Sequence, residues 1–274
     1  MSQSRALQQH IAHLTEIRSI LHSLKNMAFM DMHKLIRRRQ AQSLVVQHIE
    51  TVAEDFLQFY PGLPELDIST PLIVIIIGSE RGFCGNFNES LIAQLTQTSS
   101  DNLIAVGSRL CARLQNTNIA FTELSGANSS EEISQVLSCV SDAISQLRNK
   151  YELFNLSVLF HQDEHLGITL KALLPPFKDI KRNSKYKNEP LLNLQPSQFL
   201  IELVDQYIFS SLQDILYTSL AAENSQRLQH LDNAVRHLDE ATEKSHKKSQ
   251  IYRQEEITEE IEVILLNAED PVFK

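Results

Sequence analysis

Apolar side chains recur at seven-residue intervals in the first part of the chain. One line of such positions consists of Leu7, Leu14, Leu21, Ala28 and Leu35. No glycine or proline occurs from Met1 to Tyr60. Because a heptad spacing places apolar side chains on one stripe of a helix, the pattern predicts a long helix that needs a partner along its length. About 55 helical residues would extend roughly 80 Å, too far for a compact domain.

A second segment without glycine or proline runs from Ser197 to Asp270. Its seven-residue lines contain Ala221, Leu228 and Val235, and in parallel Leu231 and Leu238. The pattern fades between Thr242 and Gln250, where we expect solvent or other chains to cover the helix. It resumes with Ile257, Ile261, Ile264, Leu265 and Ala268.

The two apolar stripes predict that the first and last helices pack against each other. Helices that enter and leave one domain most simply lie antiparallel, and the heptad period predicts a left-handed twist. The alternative is a compact helical bundle, with the first helix bending between Asn26 and His33.

Between the two predicted long helices, the spacing of the apolar residues no longer follows the helical period. Leu72–Ile77 is an unbroken, β-branched run that suits a strand buried on both faces of a parallel sheet. Further strands are predicted at Leu103–Val106, Ile119–Thr122, Leu156–Phe160 and Ile168–Leu174, and helices at Asn88–Thr96, Ser108–Leu114 and from Ser129 to Leu147.

The predicted fold class is α/β, with an antiparallel coiled coil of long N- and C-terminal helices flanking an open α/β sheet domain that ends in a hairpin. The expected segments are a first helix at 1–60, a head at 71–177, a linker at 178–196 and a second helix at 197–274.

Composition narrows the function. The net charge is −9, which argues against nucleic acid as a partner. No apolar run reaches the roughly 18 residues that a membrane span needs, so we expect no lipid insertion. Cys84, Cys111 and Cys139 are too scattered for a disulfide framework or a metal site. With no export signal at the start, we expect a reducing compartment.

The turn from Gly78 to Asn86 lies between a strand and a helix, where phosphate-binding loops occur. It lacks both the GK[ST] ending and the GxGxxG spacing, and Glu80 places a negative charge where a phosphate would lie. Cys84 could act as a thiol nucleophile, but no base accompanies it, and a small buried residue in a tight turn is the favoured interpretation.

Two other motifs have simple structural explanations. The segment from His161 to His165 matches the HxxEH pattern of a zinc peptidase class, but the histidines follow a strand, so a hairpin turn is favoured over a zinc site. Arg37, Arg38 and Arg39 suit a solvated helix face, or alternatively a contact with an acidic partner. We therefore expect no catalytic residue, cofactor or metal in this chain.

Three segments resemble the gamma subunit of F-type ATP synthases. The opening helix has the apolar steps of that family around Ile11, Ala12 and Ala28. The turn from Ser79 to Asn88 is similar to the family's RGLCG turn, and Arg253 to Ile261 is similar to its RQxxITxEI segment. Weaker similarity includes Glu223, Asn224 and Arg227. Together these segments span essentially the whole chain.

The resemblance implies a non-catalytic rotor shaft that couples ion flow to ATP synthesis or hydrolysis. Its paired terminal helices would run through a ring of alpha and beta subunits, and its head would rest on the epsilon subunit and the membrane rotor ring. This implies a peripheral position on the cytoplasmic face of a membrane, expected to be a bacterial inner membrane.

The resemblance also assigns residues. The family's contact with the beta subunits corresponds to Arg253, Gln254 and Thr258. The turn residues Arg81, Gly82, Cys84 and Gly85 are interpreted as structural.

The sequence departs from the family in ways that suggest a divergent or second-copy member. Asp31 replaces the family's lysine before Met32, and the segment from Ser197 to Lys274 has 15 acidic residues against 7 basic ones.

Two functions from other classes stay open at this point. A free-standing α/β enzyme could use the turn from Gly78 to Gly85, and a coiled-coil adaptor could act outside any ATPase. An enzyme predicts turnover by the purified chain, whereas a shaft predicts co-purification with a ring of larger subunits.

Overall fold

The computed structural model describes residues 3–60, 70–96, 102–117, 119–162, 167–177 and 189–269, with helix side chains described from Arg5 to Leu266. In these ranges the helices are α1 (Gln3–Phe59), α2 (Phe87–Leu95), α3 (Ser108–Leu114), α4 (Ile133–Lys150) and α5 (Pro196–Glu269). The strands are β1 (Leu72–Ile77), β2 (Asn102–Val106), β3 (Thr122–Leu124), β4 (Asn155–His161) and β5 (Ile168–Leu174).

The five strands form one sheet in the order β3-β2-β1-β4-β5. The first four strands are parallel, and β5 runs antiparallel to β4. The predicted fold class is therefore confirmed: two long terminal helices flank a sheet that ends in an antiparallel pair. The predicted hairpin turn falls partly on residues 163–166, and the predicted linker largely on residues 178–188; both stretches lie outside the described residues.

Strand β1 is buried on both faces, as its unbroken aliphatic run predicts. On one face, Ile73 and Ile75 pack with α4 and with Leu212 and Leu216 of α5. On the other face, Val74 and Ile76 pack with α2 and α3. Each face of the sheet therefore has its own layer of helices.

Two of the predicted elements between the long helices begin at least three residues later in the structure. The strand predicted at Ile119–Thr122 begins only at Thr122, because pairing with β2 starts where Thr122 lies beside Ile104. Ile119 is apolar because it packs on the core, without joining the sheet. The helix predicted from Ser129 begins at Ile133, because the residues before it form a turn in which the Glu132 amide donates to the Ser129 carbonyl at 3.2 Å.

The chain divides into two compact units. Unit 1 comprises Met1–Met27 and Leu228–Lys274, and unit 2 comprises Ala28–Arg227. Both α1 and α5 contribute to each unit. Unit 2 thus contains the sheet together with the second part of α1 and the first part of α5. The limits expected from the sequence for the first helix, the head, the linker and the second helix stay predictions.

Inside unit 2, the two long helices have an apolar core of their own. Val46, Ala53 and Phe56 of α1 are grouped with Leu203 and Tyr207 of α5. A polar contact accompanies this cluster, since the Gln42 side-chain amide donates to the Ser210 carbonyl at 3.1 Å.

In unit 1, α1 and α5 pack antiparallel. Lys25 binds Asp232, and Arg18 binds Asp239. A step of seven residues toward the start of α1 therefore corresponds to a step of seven residues toward the end of α5, as antiparallel helices require. Leu231 is fully buried. Since α1 runs unbroken through Asn26–His33, the alternative of a bundle formed by a break in this segment is wrong.

The burial pattern shows which side chains form the seam of unit 1. On α5, one set of half-buried and buried positions recurs at alternating steps of three and four residues, with Asp232, Ala234 and Ala241 half-buried beside it: Leu228, Leu231, Val235, Leu238, Thr242, Ser245, Ser249, Tyr252 and Glu256. The polar stretch after Leu238 therefore keeps the seam spacing, although its seam residues are small and polar.

The expectation that the apolar seam resumes at Ile257 is wrong. Ile257 is 48% exposed and Ile264 is 65% exposed. Ile257 follows the seam residue Glu256 by one position, which turns it about 100° away from α1. Continuing the antiparallel step from the two ion pairs also brings Gln3 opposite Gln254, so Ile257 lies beyond the described start of α1. The side chain of Ala268 is outside the described set.

No described helix combines the length and the apolar character needed to cross a membrane.

We predict that Leu231→Ala lowers the free energy of unfolding by about 3 kcal/mol, because the change leaves a cavity in the seam. Leu266→Ala is the matched control. Leu266 is 68% exposed, so the same change should cost less than about 0.5 kcal/mol. Urea titration followed by far-UV circular dichroism measures both; equal effects would contradict the assigned seam.

Candidate functional site

The sequence-predicted turn follows β1 and leads into α2. Phe83 and Gly85 both have positive φ angles, of 65° and 58°. Cys84 lies between them and is buried, whereas the Phe83 side chain is 58% exposed. The turn thus directs the thiol inward and an aromatic ring outward.

The Glu80 carboxylate binds the backbone at the start of α3. The Ser108 amide donates to Oε2 at 2.8 Å, and the Ser108 hydroxyl donates to Oε1 at 2.7 Å. The Gly126 amide donates to Oε2 at 2.7 Å. Glu80 therefore connects the turn to the start of α3 and to the backbone that follows β3.

A buried ion pair on α5 holds the backbone of the turn. Glu223 and Arg227 are 3% and 6% exposed, and their side chains bind each other. The amides of Glu80 and Arg81 donate to the two Glu223 carboxylate oxygens, each at 3.3 Å. Arg227 Nε donates to the Gly82 carbonyl at 3.1 Å. One ion pair therefore fixes three consecutive residues.

Burial raises the pKa of Glu223, while Arg227 and the two backbone amides act to lower it. Arg227 also donates to the Asn224 side chain at 2.7 Å. The guanidinium is thus satisfied by the carboxylate, an amide oxygen and the turn carbonyl, which is the condition for tolerating a buried pair.

Further polar contacts fix both ends of the turn. Arg81 Nε donates to Asn128 Oδ1 at 2.9 Å. At the other side, the Ser79 amide donates to Asn88 Oδ1 at 2.9 Å, and Asn88 Nδ2 donates to the Ser79 hydroxyl at 2.8 Å. Both Ser79 and Asn88 are buried.

The glycines near the turn differ in their steric surroundings. A Cβ on Gly78 would lie 2.5 Å from Leu110 Cβ, so this position has no room for a side chain. A Cβ on Gly82 would meet no atom within 4 Å. Gly82 therefore contributes through its carbonyl oxygen. A residue with a side chain would fit sterically at this position.

Cys84 is poorly suited to nucleophilic chemistry. Burial, with a further contribution from the Glu223 carboxylate, raises the pKa of its thiol to about 12. Its Sγ lies 3.4 Å from the Gly82 carbonyl and 3.5 Å from the Arg81 carbonyl. At neutral pH the thiol is protonated and faces backbone oxygens.

Arg253, Gln254 and Thr258 belong to unit 1, whereas the turn residues belong to unit 2. All three side chains are exposed. The Thr258 hydroxyl donates to the Gln254 carbonyl at 2.8 Å, which leaves its side chain against the helix. Gln254 and Thr258 are four residues apart and share one side of α5.

The HxxEH segment is only partly described, since His165 lies outside the described residues. His161 ends β4, is fully buried, and has its Nε2 2.9 Å from the Phe87 carbonyl. Its ring centroid is 4.0 Å from that of Phe87. Within the described ranges, no group of three or more His, Cys, Asp or Glu side chains could hold a metal ion.

The arginine triplet lies on α1 within unit 2. Arg38 binds Glu131 at 3.1 Å, and Arg39 donates to the Gln162 carbonyl at 3.4 Å. Arg37 is exposed. Two of the three arginines therefore have partners within the chain.

A cavity of about 530 Å³ lies in unit 2, between α4, the end of β5 and the first turns of α5. Its lining is mainly apolar and includes Leu153, Ile201 and Phe209. None of the turn residues lines it. The turn and this cavity are therefore separate features.

A family model for ATP synthase matches residues 3–269. The chain belongs to the ATP synthase family. Relatives include the ATP synthase gamma chain of Fusobacterium nucleatum, 24% identical and aligned over 71% of each chain. The gamma chain of Buchnera aphidicola is 22% identical and aligned over 98% of each chain.

Solved structures agree on the fold. A chain of the rotor of the Euglena gracilis mitochondrial ATP synthase aligns with a TM-score of 0.61 and 15% identity, covering 93% of this chain and 98% of that one. A chain from the central stalk and c-ring of the Tetrahymena thermophila enzyme gives a TM-score of 0.55 at 17% identity, covering 78% of this chain and 99% of that one. The resemblance to gamma subunits is confirmed.

Sequence reasoning missed part of the turn's surroundings. Glu223 and Arg227 of this ATP synthase family member stood out only as weak similarity, and Asn128 and Glu132 gave no signal. Glu132 accepts hydrogen bonds from the Asn128 amide at 2.8 Å and from its side chain at 3.1 Å, which orients Asn128 toward Arg81. A charged pair spaced i, i+4 within an apolar helical stretch is the signal that could have identified Glu223 and Arg227.

We predict that Gly78→Ala destabilises the protein by about 1–3 kcal/mol, because the new methyl group overlaps Leu110. Gly82→Ala is the matched control and should stay within about 0.5 kcal/mol of wild type. Thermal unfolding of both variants measures the difference. A larger loss for Gly82→Ala than for Gly78→Ala would contradict the steric assignment.

We predict that Glu223→Gln costs about 3 kcal/mol, because it leaves the Arg227 charge buried without its counter-ion. Glu89→Gln removes the acid of an exposed ion pair with Arg113 and should cost less than about 1 kcal/mol. Denaturant titration compares the two. Equal costs would show that Glu223 does not hold the turn.

Proposed function

We propose that this gamma chain is the central rotor shaft of an F-type ATP synthase. In this role it has no catalytic residue of its own and couples ion flow to ATP synthesis or hydrolysis in the beta subunits. The observation that carries the proposal is the antiparallel pairing of α1 with α5 in a chain whose family match spans residues 3–269.

The proposed partners are the alpha and beta subunits of the ATPase ring, the epsilon subunit and the membrane rotor ring. The similar solved structures are those of an ATP synthase rotor, an F1 and c-ring assembly, and a central stalk, which supports this set. The proposed location is peripheral, on the cytoplasmic face of a bacterial inner membrane.

A shaft changes the state of a catalytic subunit only if it binds one conformation better than another. Shifting a site from 1:99 to 99:1 takes about 5.5 kcal/mol of differential interaction. A pair of helices has different side chains on different sides, so it can present a different surface to each neighbour. This asymmetry is what the proposed coupling requires.

We assign the contact with the beta subunits to Arg253, Gln254 and Thr258. Their exposure on α5 in the isolated chain supports this. Ile257 and Ile261 on the same stretch are about half exposed, so apolar surface is also available to a partner. The distal part of α5 therefore offers both polar and apolar groups for recognition.

We assign a structural role to Arg81, Gly82, Cys84 and Gly85. The hydrogen bonds from Arg81 to Asn128 and from Arg227 to Gly82 support this role, as does the buried, protonated Cys84. The positive φ of Gly85 favours glycine at that position.

We further propose that the chain is a divergent or second-copy gamma subunit. The identities of 24% and 22% to gamma chains support divergence. So does the acidic segment from Arg253 to Leu266, which contains five glutamates and one arginine.

We predict that Arg253→Ala combined with Gln254→Ala lowers coupled ATP synthesis about tenfold in the reconstituted complex, which corresponds to ~1.4 kcal/mol of lost interaction. The isolated chain should stay folded, because both side chains are exposed. Lys244→Ala combined with Gln250→Ala is the matched control on the same helix and should leave synthesis unchanged.

Unchanged synthesis in the first variant would overturn the contact assignment. Failure of the wild-type chain to co-purify with alpha and beta subunits would overturn the shaft itself.

A further inference from the structure

Two ion pairs cross from α1 to α5 in unit 1. Lys25 Nζ lies 2.5 Å from Asp232 Oδ1, and Asp232 also accepts from Arg236 of its own helix at 2.7 Å. Arg18 binds Asp239 through both carboxylate oxygens, with 3.3 Å between Nη2 and Oδ2. The pairs are one heptad apart on each helix.

The cations of these pairs occupy positions in the helix seam. Arg18 and Lys25 stand in the same seven-residue line as Ile11 and Met32, and all four positions are half-buried. Two successive positions that would hold apolar residues in a uniform seam therefore hold charges. Polar groups at seam positions are a known means of specifying how two helices align.

The rest of the seam specifies alignment weakly. Apolar residues that repeat every seven positions meet each other again after a shift of one heptad. Farther along α5 the seam residues are Thr242, Ser245 and Ser249, whose small side chains interlock little. Some other contact has to oppose sliding of the helices along each other.

The observed alignment is the one that satisfies both pairs. A shift of one heptad in one direction would place Arg18 opposite His246, and in the other direction it would place Lys25 opposite Ser225. After either shift, one of the two cations faces the other aspartate, and the second cation has no acidic partner. Each shift would move α5 by about 10 Å relative to α1, and even a partial slide would displace its distal end.

We propose that the pairs Lys25–Asp232 and Arg18–Asp239 act as an ionic clamp that stops α1 and α5 from sliding past each other. The four residues are positioning residues, because the clamp sets the height at which α5 presents Arg253 and Gln254. This last step rests on the proposed function, whereas the clamp is a property of the isolated chain.

The test measures the distance between spin labels on Gln8→Cys and Gln250→Cys, two exposed positions that lie across from each other near the same end of the paired segment. Cys139 is exposed and is changed to serine, while Cys84 and Cys111 are buried. A chain with only Cys139→Ser, and no added cysteine, checks that the buried thiols stay unlabelled.

In the otherwise wild-type chain we expect one narrow distance peak. Arg18→Asp combined with Lys25→Asp places like charges opposite Asp239 and Asp232, so the share of molecules in that peak should fall about fivefold relative to displaced ones. Arg18→Met combined with Lys25→Met, which adds no repulsion, should broaden the peak. Arg113→Asp breaks an exposed ion pair in unit 2 and should leave the peak unchanged.

Charge exchange separates a positioning role from general damage. Arg18→Asp alone should broaden the peak, and Arg18→Asp combined with Asp239→Arg should restore it. In the reconstituted complex, coupled ATP synthesis should fall and recover in the same two variants.

A peak that stays narrow in the doubly reversed variant, or a charge exchange without recovery, would overturn the clamp. Intact distances with no co-purifying ring would instead overturn the proposed function and leave the clamp supported.

Discussion

The antiparallel packing of α1 on α5 is the constraint on which the rest of the molecule depends. Neither helix has enough apolar surface of its own for a core, and each is far longer than the roughly 11 residues of an average helix in a globular protein. In unit 2, segments of both helices contribute to cores that include the sheet. Among the described residues of unit 1, each helix packs only against the other, so the stability of that part comes from a single seam.

The seam is uneven, and this bears on how a shaft would work. Leu231 and Val235 are buried and Leu238 is half-buried, but the seam positions that follow toward the distal end are Thr242 and Ser245. Apolar burial therefore stabilises one part of the pair, and charge pairing aligns it. Ion pairs between partly exposed side chains contribute little to stability, but their geometry is specific. Stability and alignment thus come from different residues.

Sequence periodicity predicted the long helices, the strands and the hairpin because these features depend on local spacing. It failed where spacing alone is ambiguous. Ile257 fits a seven-residue pattern, yet Glu256 continues the seam, since burial depends on where α1 begins. The turn motif was recognised, but its partner Glu223 lies 143 residues from Glu80 in the sequence. Local sequence patterns do not indicate contacts between residues so far apart in the chain.

The buried Glu223 and Arg227 pair has a consequence for the shaft helix. A buried pair is seldom more stable than apolar residues of the same shape, so its value lies in what it fixes. Here it ties one turn of α5 to the amides of Glu80 and Arg81 and to the carbonyl of Gly82. Glu80 in turn binds the start of α3. Rotation of α5 about its own axis within unit 2 would break these contacts together. The contacts of the turn therefore fix the rotation of α5 relative to the sheet.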